Sequence, residues 1–219
     1  MSRYEIVYSK QPPKLDPCDG AAWAAADSGT IEHFPWYKQG DRQATTFRAL
    51  WSDDGLYLRY ECQDRHISAV TTETNGPVWV DSCVEFFVAP NPKKPLNYYN
   101  FEMNCVGAFL MGTHCDWGEG YADRSRDLGI QVATTVPGPT KDESPQDNGW
   151  TLVARIPWAH FEKDAPHLPP KPGDVWRANF YRLGGKTDPQ CACWAPIDYF
   201  KPQFHLPQFF GQIVFVKRP

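Results

Sequence analysis

The chain has 219 residues, enough for one large domain or two small ones and ample to bury a hydrophobic core. It carries 22 Lys and Arg against 26 Asp and Glu, a net charge of -4, so neither nucleic acid nor an anionic membrane is an expected partner. Hydrophobic residues make up 42%, which argues against disorder, and aromatic residues make up 15%. This aromatic share, together with 21 prolines, favours an all-β protein of short strands and long loops.

The N-terminal residues 1–8 predict a first strand. They contain no apolar region typical of a secretory signal, which on this basis predicts a cytoplasmic location. No run of residues is long and apolar enough to span a membrane. The seven cysteines are odd in number and irregularly spaced, which predicts free thiols packed as small hydrophobic side chains and no disulfide framework.

The clearest pattern is a β-hairpin over residues 44–62. Phe47, Ala49 and Trp51 alternate with their neighbours, residues 52–55 read Ser-Asp-Asp-Gly, and alternation then resumes from residue 56 to residue 62. A period of two on both sides of an Asp-Gly turn is a strong hairpin signal.

Further strands are predicted in chain order at 82–88, at 98–111 (a pair interrupted at Gly107), and at 130–136, 150–156, 176–180 and 212–217, with one helical turn at 157–161. About ten short strands joined by loops are typical of a β-sandwich or barrel, here predicted to be a single domain over residues 1–219. The more apolar strand faces predict this core: Leu58, Tyr60, Val84, Phe86, Leu152, Ala154, Trp176, Ala178 and Phe180.

The sequence contains no nucleophile elbow, zinc-protease helix, phosphate loop or dinucleotide fingerprint. Four acidic residues nevertheless lie on or near predicted strands, and a pair of acids can hydrolyse a glycoside at a defined separation, so a hydrolase stays an alternative. These acids are Glu61, Asp81, Glu85 and Glu102. The simpler interpretation is that these acids lie on an ordinary strand surface and form salt bridges with Arg59, Arg177 or Arg182.

Two metal-based hypotheses also follow from residue types. Cys191 and Cys193 lie on one face of a short predicted strand and, with His114 and Cys115, are candidates for a soft metal, although buried small side chains explain them more simply. A haem-binding electron-transfer domain would use Met103 and a histidine as ligands. The candidate histidines are His33, His66, His114, His160, His167 and His205.

The aromatic residues in loops are the most informative feature. Trp79 lies in a loop that leads into a strand, and Phe204 lies in a loop before the last strand. A ring presented by a loop can stack on the apolar face of a sugar while neighbouring amides and carboxylates bind its hydroxyl groups. The competing interpretation is that both rings close the ends of the sandwich.

Several segments together resemble the family 9 carbohydrate-binding modules, in the branch seen in bacteria as stand-alone proteins and as modules beside glycoside hydrolases. The matching segments are Ala49-Leu50-Trp51 to Asp54-Gly55-Leu56-Tyr57-Leu58, then residues 78–87 (Val-Trp-Val-Asp-Ser-Cys-Val-Glu-Phe-Phe), 98–104 (Tyr-Tyr-Asn-Phe-Glu-Met-Asn), 154–158, 176–182, Trp194 and 204–211. Their order and spacing run through most of the chain.

The resemblance implies an all-β sandwich of two antiparallel sheets, jelly-roll-like, that binds a mono- or oligosaccharide without catalysis in support of glycan breakdown. It implies a sugar held between two aromatic planes, usually both tryptophans in the family and here Trp79 and Phe204. Glu85 and Asn104 match the family's hydrogen-bonding positions, and Tyr181 occupies a place where the family can have an amide.

Two features set this chain apart from the family pattern. Glu102 replaces a basic residue, which counts against the family's recognition of sugar reducing ends. Family members can bind structural Ca²⁺, whereas no acidic loop here specifies that ion.

The resemblance also implies an extracellular or periplasmic location, whereas the N-terminal sequence predicts a cytoplasmic one.

Overall fold

In the computed structural model, which describes residues 1–115 and 129–218, the regular structure consists of β-strands and short 3₁₀ turns. The strands are β1 (Arg3–Tyr8), β2 (Gly29–Ile31), β3 (Thr45–Trp51), β4 (Gly55–Cys62), β5 (Cys83–Ala89), β6 (Tyr98–Asn104), β7 (Phe109–His114), β8 (Gln131–Thr134), β9 (Trp150–Pro157), β10 (Val175–Leu183), β11 (Cys191–Cys193) and β12 (Gly211–Val216). The 3₁₀ turns are Ala21–Trp23, Val78–Val80, Trp158–Phe161 and Pro207–Phe209. None of the helical segments in these ranges is long and apolar enough to cross a membrane.

Hydrogen bonding joins the strands in the order β7-β6-β5-β10-β12-β1-β3-β4-β9-β8, with β11 beside β10 and β2 beside β3. Strand β1 pairs in parallel with both β12 and β3, and the other described strand pairs are antiparallel. The predicted all-β sandwich is confirmed. The two antiparallel layers, however, are joined through β1. This strand forms backbone hydrogen bonds with β12 on one side and with β3 on the other, so neither of these strands is left as an exposed sheet edge on that side.

The hydrophobic core lies between the two layers. Phe47 of β3 stacks on Phe180 of β10 with ring centroids 3.8 Å apart, and the Tyr60 hydroxyl of β4 donates to the backbone oxygen of Glu85 in β5 at 3.1 Å. All nine residues predicted for the core are buried in this cluster, which confirms the face assigned to each strand.

The outer face of the β3-β4-β9 layer is also buried, which strand alternation alone does not predict. Leu50, Tyr57 and Val153 point away from the main core and pack in a second cluster with Trp23. Trp23 comes from the 3₁₀ turn Ala21–Trp23, so the segment between β1 and β2 covers this face. Apolar residues therefore occur on both sides of these strands, a pattern typical of strands covered on both faces.

Candidate functional site

A cavity of about 440 Å³ lies on the outer face of β5, β6 and β7, opposite the main core. We call it the β5–β7 cavity. Its volume is within the range of small-molecule sites. Among the described residues it is lined by Trp79, Glu85, Asn100, Glu102, Leu110, His114, Leu183, Cys191, Pro202, Gln203, Phe204 and His205.

Strand register places two acidic side chains next to each other on the floor of this cavity. Glu85 of β5 lies directly opposite Glu102 of β6, and Glu102 lies opposite Leu110 of β7. On its other side Glu85 is opposite Tyr181 of β10. Because successive side chains of a strand point to opposite faces, Val84 faces the core while Glu85 faces the cavity.

Trp79 belongs to the 3₁₀ turn Val78–Val80, whose first residue is fully buried while the Trp79 side chain is 43% exposed. Asp81 closes this turn, since its backbone N–H donates to the Val78 oxygen at 3.2 Å. The Asp81 carboxylate accepts hydrogen bonds from the backbone N–H groups of Val70 at 3.0 Å and Thr71 at 3.2 Å. The Trp79 ring is therefore presented to the cavity by a hydrogen-bonded turn.

Asn104 is fully buried next to this turn and is not among the residues that line the cavity. Its Nδ2 group donates to the Thr71 oxygen and to Asp81 Oδ2, both at 2.8 Å, and its Oδ1 accepts from the Ala108 N–H at 2.9 Å. These bonds hold the two sides of the Trp79 turn together. A direct contact of Asn104 with a sugar remains a prediction.

Phe204 lines the cavity but is only 8% exposed. Its ring stacks on that of Tyr181 at a centroid distance of 4.1 Å, and the Tyr181 hydroxyl donates to the Phe204 backbone oxygen at 3.2 Å. Trp36 packs nearby with its ring centroid 6.0 Å from that of Phe204. Tyr181 itself is fully buried beside the cavity, so the sugar contact predicted for its hydroxyl also remains a prediction.

The carboxyl group of Glu85 is the most unusual polar group of the site. Glu85 is 2% exposed, and its Oε2 atom has no hydrogen-bond partner among the described residues. Burial, and secondarily the charge of Glu102, raises the pKa of Glu85 well above its usual range. Burial therefore favours the protonated form of this carboxyl group, which can donate a hydrogen bond as well as accept one.

Several further polar residues of the site were not assigned to a sugar site from the sequence. His114 Nε2 lies 2.9 Å from Asn100 Oδ1, and Asn100 Nδ2 donates to Glu102 Oε1 at 2.8 Å. The Tyr98 ring stacks on His114 at 4.4 Å, and its hydroxyl lies 2.9 Å from His205 Nδ1. Burial lowers the pKa of both histidines to about 4, so both rings are neutral at neutral pH.

One signal in the sequence points to Asn100 and Glu102, and the structure adds a second observation for Asn100. In β6, Asn100 and Glu102 precede Asn104 at intervals of two, so all three share one face of the strand. Gly112 lies opposite Asn100 in β7, and a Cβ atom there would collide with Asn100 Oδ1, so glycine leaves room for the amide.

The described part of the chain contains no complete donor set for the metal hypotheses. Within it, no group of three or more His, Cys, Asp or Glu side chains is placed to hold a metal ion, which applies both to Ca²⁺ and to the soft-metal set around Cys191 and Cys193. Met103, the proposed haem ligand, is packed in the main core with 1% exposure.

Comparison with solved structures shows similarity along the whole chain. A protein from Bacteroides uniformis ATCC 8492, solved as a candidate carbohydrate-binding protein, aligns with a TM-score of 0.85 and 26% identity over 97% of this chain and 98% of its own. A family 9 carbohydrate-binding module from Caldicellulosiruptor kristjanssonii in complex with cellotriose has a TM-score of 0.66 and 16% identity over 100% of this chain and 95% of its own. A family 9 carbohydrate-binding module from the same organism in complex with glucose has a TM-score of 0.67 and 17% identity over 100% of this chain and 97% of its own.

No curated protein shows significant similarity to the chain. The family model for carbohydrate-binding family 9 matches residues 21–215, a range that contains all nine predicted core residues, the Trp79 turn and every described residue that lines the β5–β7 cavity. The chain therefore belongs to carbohydrate-binding family 9.

Proposed function

We propose that this protein binds a mono- or oligosaccharide in the β5–β7 cavity without catalysing a reaction. The observation that carries the proposal is that Trp79, Glu85 and Phe204, which come from three separate segments, line the same cavity. The family resemblance assigns each of them to a sugar site, and Phe204, 119 positions after Glu85, joins the other two only through the fold. We further propose that residues 1–219 act as a single binding domain that supports glycan breakdown.

The two kinds of lining residue have different roles in this proposal. The partly exposed Trp79 stacks on the apolar side of a pyranose, and Phe204, which is almost buried, limits the sugar ring on another side. Glu85 binds sugar hydroxyl groups through its carboxyl oxygens, and buried polar groups of this kind distinguish stereoisomers. Asn104 and Tyr181 contribute either directly or by holding the Trp79 turn and Phe204 in position.

The relatives support a neutral sugar as the starting ligand for experiments. The two structures of Caldicellulosiruptor kristjanssonii modules, which share this fold, contain cellotriose and glucose. Glucose, cellobiose and cellotriose are therefore the first sugars to titrate, alongside a broad glycan array.

The test combines that array with calorimetric titration of the folded protein, taken to millimolar sugar because a single ring gives a small contact area. Saturable binding of at least one sugar, with competition between free sugar and array, is the expected result. The proposal fails if the protein unfolds cooperatively, and so is folded, yet binds no glycan on the array and no sugar in titration.

A further inference from the structure

The described lining of the β5–β7 cavity contains acidic side chains but no basic ones of the Lys or Arg type. The acidic residues are Glu85 and Glu102. His114 and His205 do not supply positive charge at neutral pH, because burial keeps their pKa at about 4. The buried guanidinium of nearby β10, that of Arg182, is instead paired with Asp64 at 2.5 Å.

The two acids of the cavity floor differ in their surroundings. Glu102 Oε1 accepts a hydrogen bond from Asn100 Nδ2 at 2.8 Å. Glu85 Oε2 has no such donor among the described residues although the group is almost fully buried. An unpartnered buried carboxyl oxygen is costly, and a ligand that donates to it recovers that cost.

A neutral hydroxyl and an ammonium group satisfy Glu85 differently. A hydroxyl brings no charge to Glu85, and the hydrogen bond is of ordinary strength. An ammonium group lets Glu85 ionise, forms a charge-assisted hydrogen bond in a site shielded from water, and offsets the repulsion from Glu102. The partly exposed Trp79 beside the acids is also favourable for a cation.

We propose that the β5–β7 cavity prefers a sugar that carries a free amino group, a hexosamine, over the corresponding neutral sugar, with the ammonium group bound by Glu85. This inference rests on the proposed function, because it assumes that the cavity is the sugar site. It differs from that function in naming the ligand class and the residue that selects it.

The experiment compares D-glucose, D-glucosamine and N-acetyl-D-glucosamine, and the matching galactose series, by calorimetric titration at about pH 6.5, where an ordinary amine is protonated. We expect a hexosamine to bind about tenfold more tightly than its neutral parent, the difference between a charge-assisted and a neutral hydrogen bond. The N-acetylated sugar, whose amide has no charge, is expected to show no such gain. These comparisons use the wild-type protein alone and do not depend on how a variant folds.

Two variants then assign the effect to Glu85. Glu85→Gln keeps the shape of the side chain but cannot become anionic, so the affinity ratio of hexosamine to neutral sugar should fall to about one. Glu162→Gln, at an exposed glutamate outside the cavity lining, should keep the wild-type ratio. Thermal unfolding of each variant establishes that it is folded.

The outcomes separate the two proposals. If neutral sugars bind and the hexosamines bind no better, or if folded Glu85→Gln keeps the preference, the hexosamine inference is wrong and the carbohydrate-binding proposal stands. If neither these sugars nor a broad glycan array shows binding to folded protein, the carbohydrate-binding proposal itself fails.

Discussion

Replacing Trp79 by alanine tests the stacking half of the site. The ring is 43% exposed, which corresponds to roughly 100 Å² of an aromatic side chain of about 250 Å². A sugar stacked on one face covers about half of that area, roughly 50 Å², and at about 25 cal/mol per Å² this contributes ~1.3 kcal/mol. Trp79→Ala should therefore weaken binding of every sugar by about tenfold or more.

The measurement is calorimetric titration of wild type and Trp79→Ala with the best sugar from the array, accompanied by urea unfolding. We expect the free energy of unfolding to fall by about 1–2 kcal/mol, less than the 3–5 kcal/mol typical of a fully buried aromatic residue. Phe200→Ala is the matched control, because Phe200 is 81% exposed and does not line the cavity. Unchanged affinity in Trp79→Ala, or an equal loss in Phe200→Ala, would refute the stacking argument.

Three further predictions concern the core, the Trp79 turn and the buried histidines. Phe86→Ala removes a fully buried ring whose centroid lies 5.0 Å from that of Phe180. The free energy of unfolding should fall by about 3–5 kcal/mol, and an unchanged urea midpoint would contradict this prediction. Asn104→Ala should cost about 1–3 kcal/mol of unfolding free energy and weaken binding of all sugars alike, whereas a changed order of preference would indicate the direct contact predicted from the sequence. His114 and His205 have folded-state pKa values of about 4, below the ordinary 6.5, so their stabilising effect is complete above pH 6.5 and is lost as the pH falls towards 4. Thermal unfolding between these pH values should show a shallower decline in His114→Gln than in wild type, and identical slopes would count against this assignment.

Most strands and their core-facing residues could be predicted from the sequence, whereas β2 (Gly29–Ile31) was not among the predicted strands. The hairpin of β3 and β4 follows from alternation around a four-residue turn, and the nine predicted core residues are all buried. Alternation has this power because a strand places successive side chains on opposite faces, so local order along the chain determines which residues share a side.

The family resemblance identified Trp79, Glu85 and Phe204, and all three line the cavity. The resemblance could not distinguish a residue that lines the cavity from one that only holds the lining residues in position. Asn104 has the residue type of a sugar ligand, but its amide is bonded within the protein, because the Thr71 oxygen and the Asp81 carboxylate lie within reach only after folding.

What only the tertiary structure decided is which groups meet across strands and loops distant in sequence. Glu85 and Glu102 are opposite each other because of the register of β5 and β6, and His114 meets His205, 91 positions further along the chain, at a ring distance of 4.8 Å. The same folding step removes these groups from water, which raises the pKa of Glu85 and lowers the pKa of both histidines. Residue type is a property of the sequence, whereas burial and neighbouring charge, which set the chemistry of the cavity, arise only when the sheets and loops pack together.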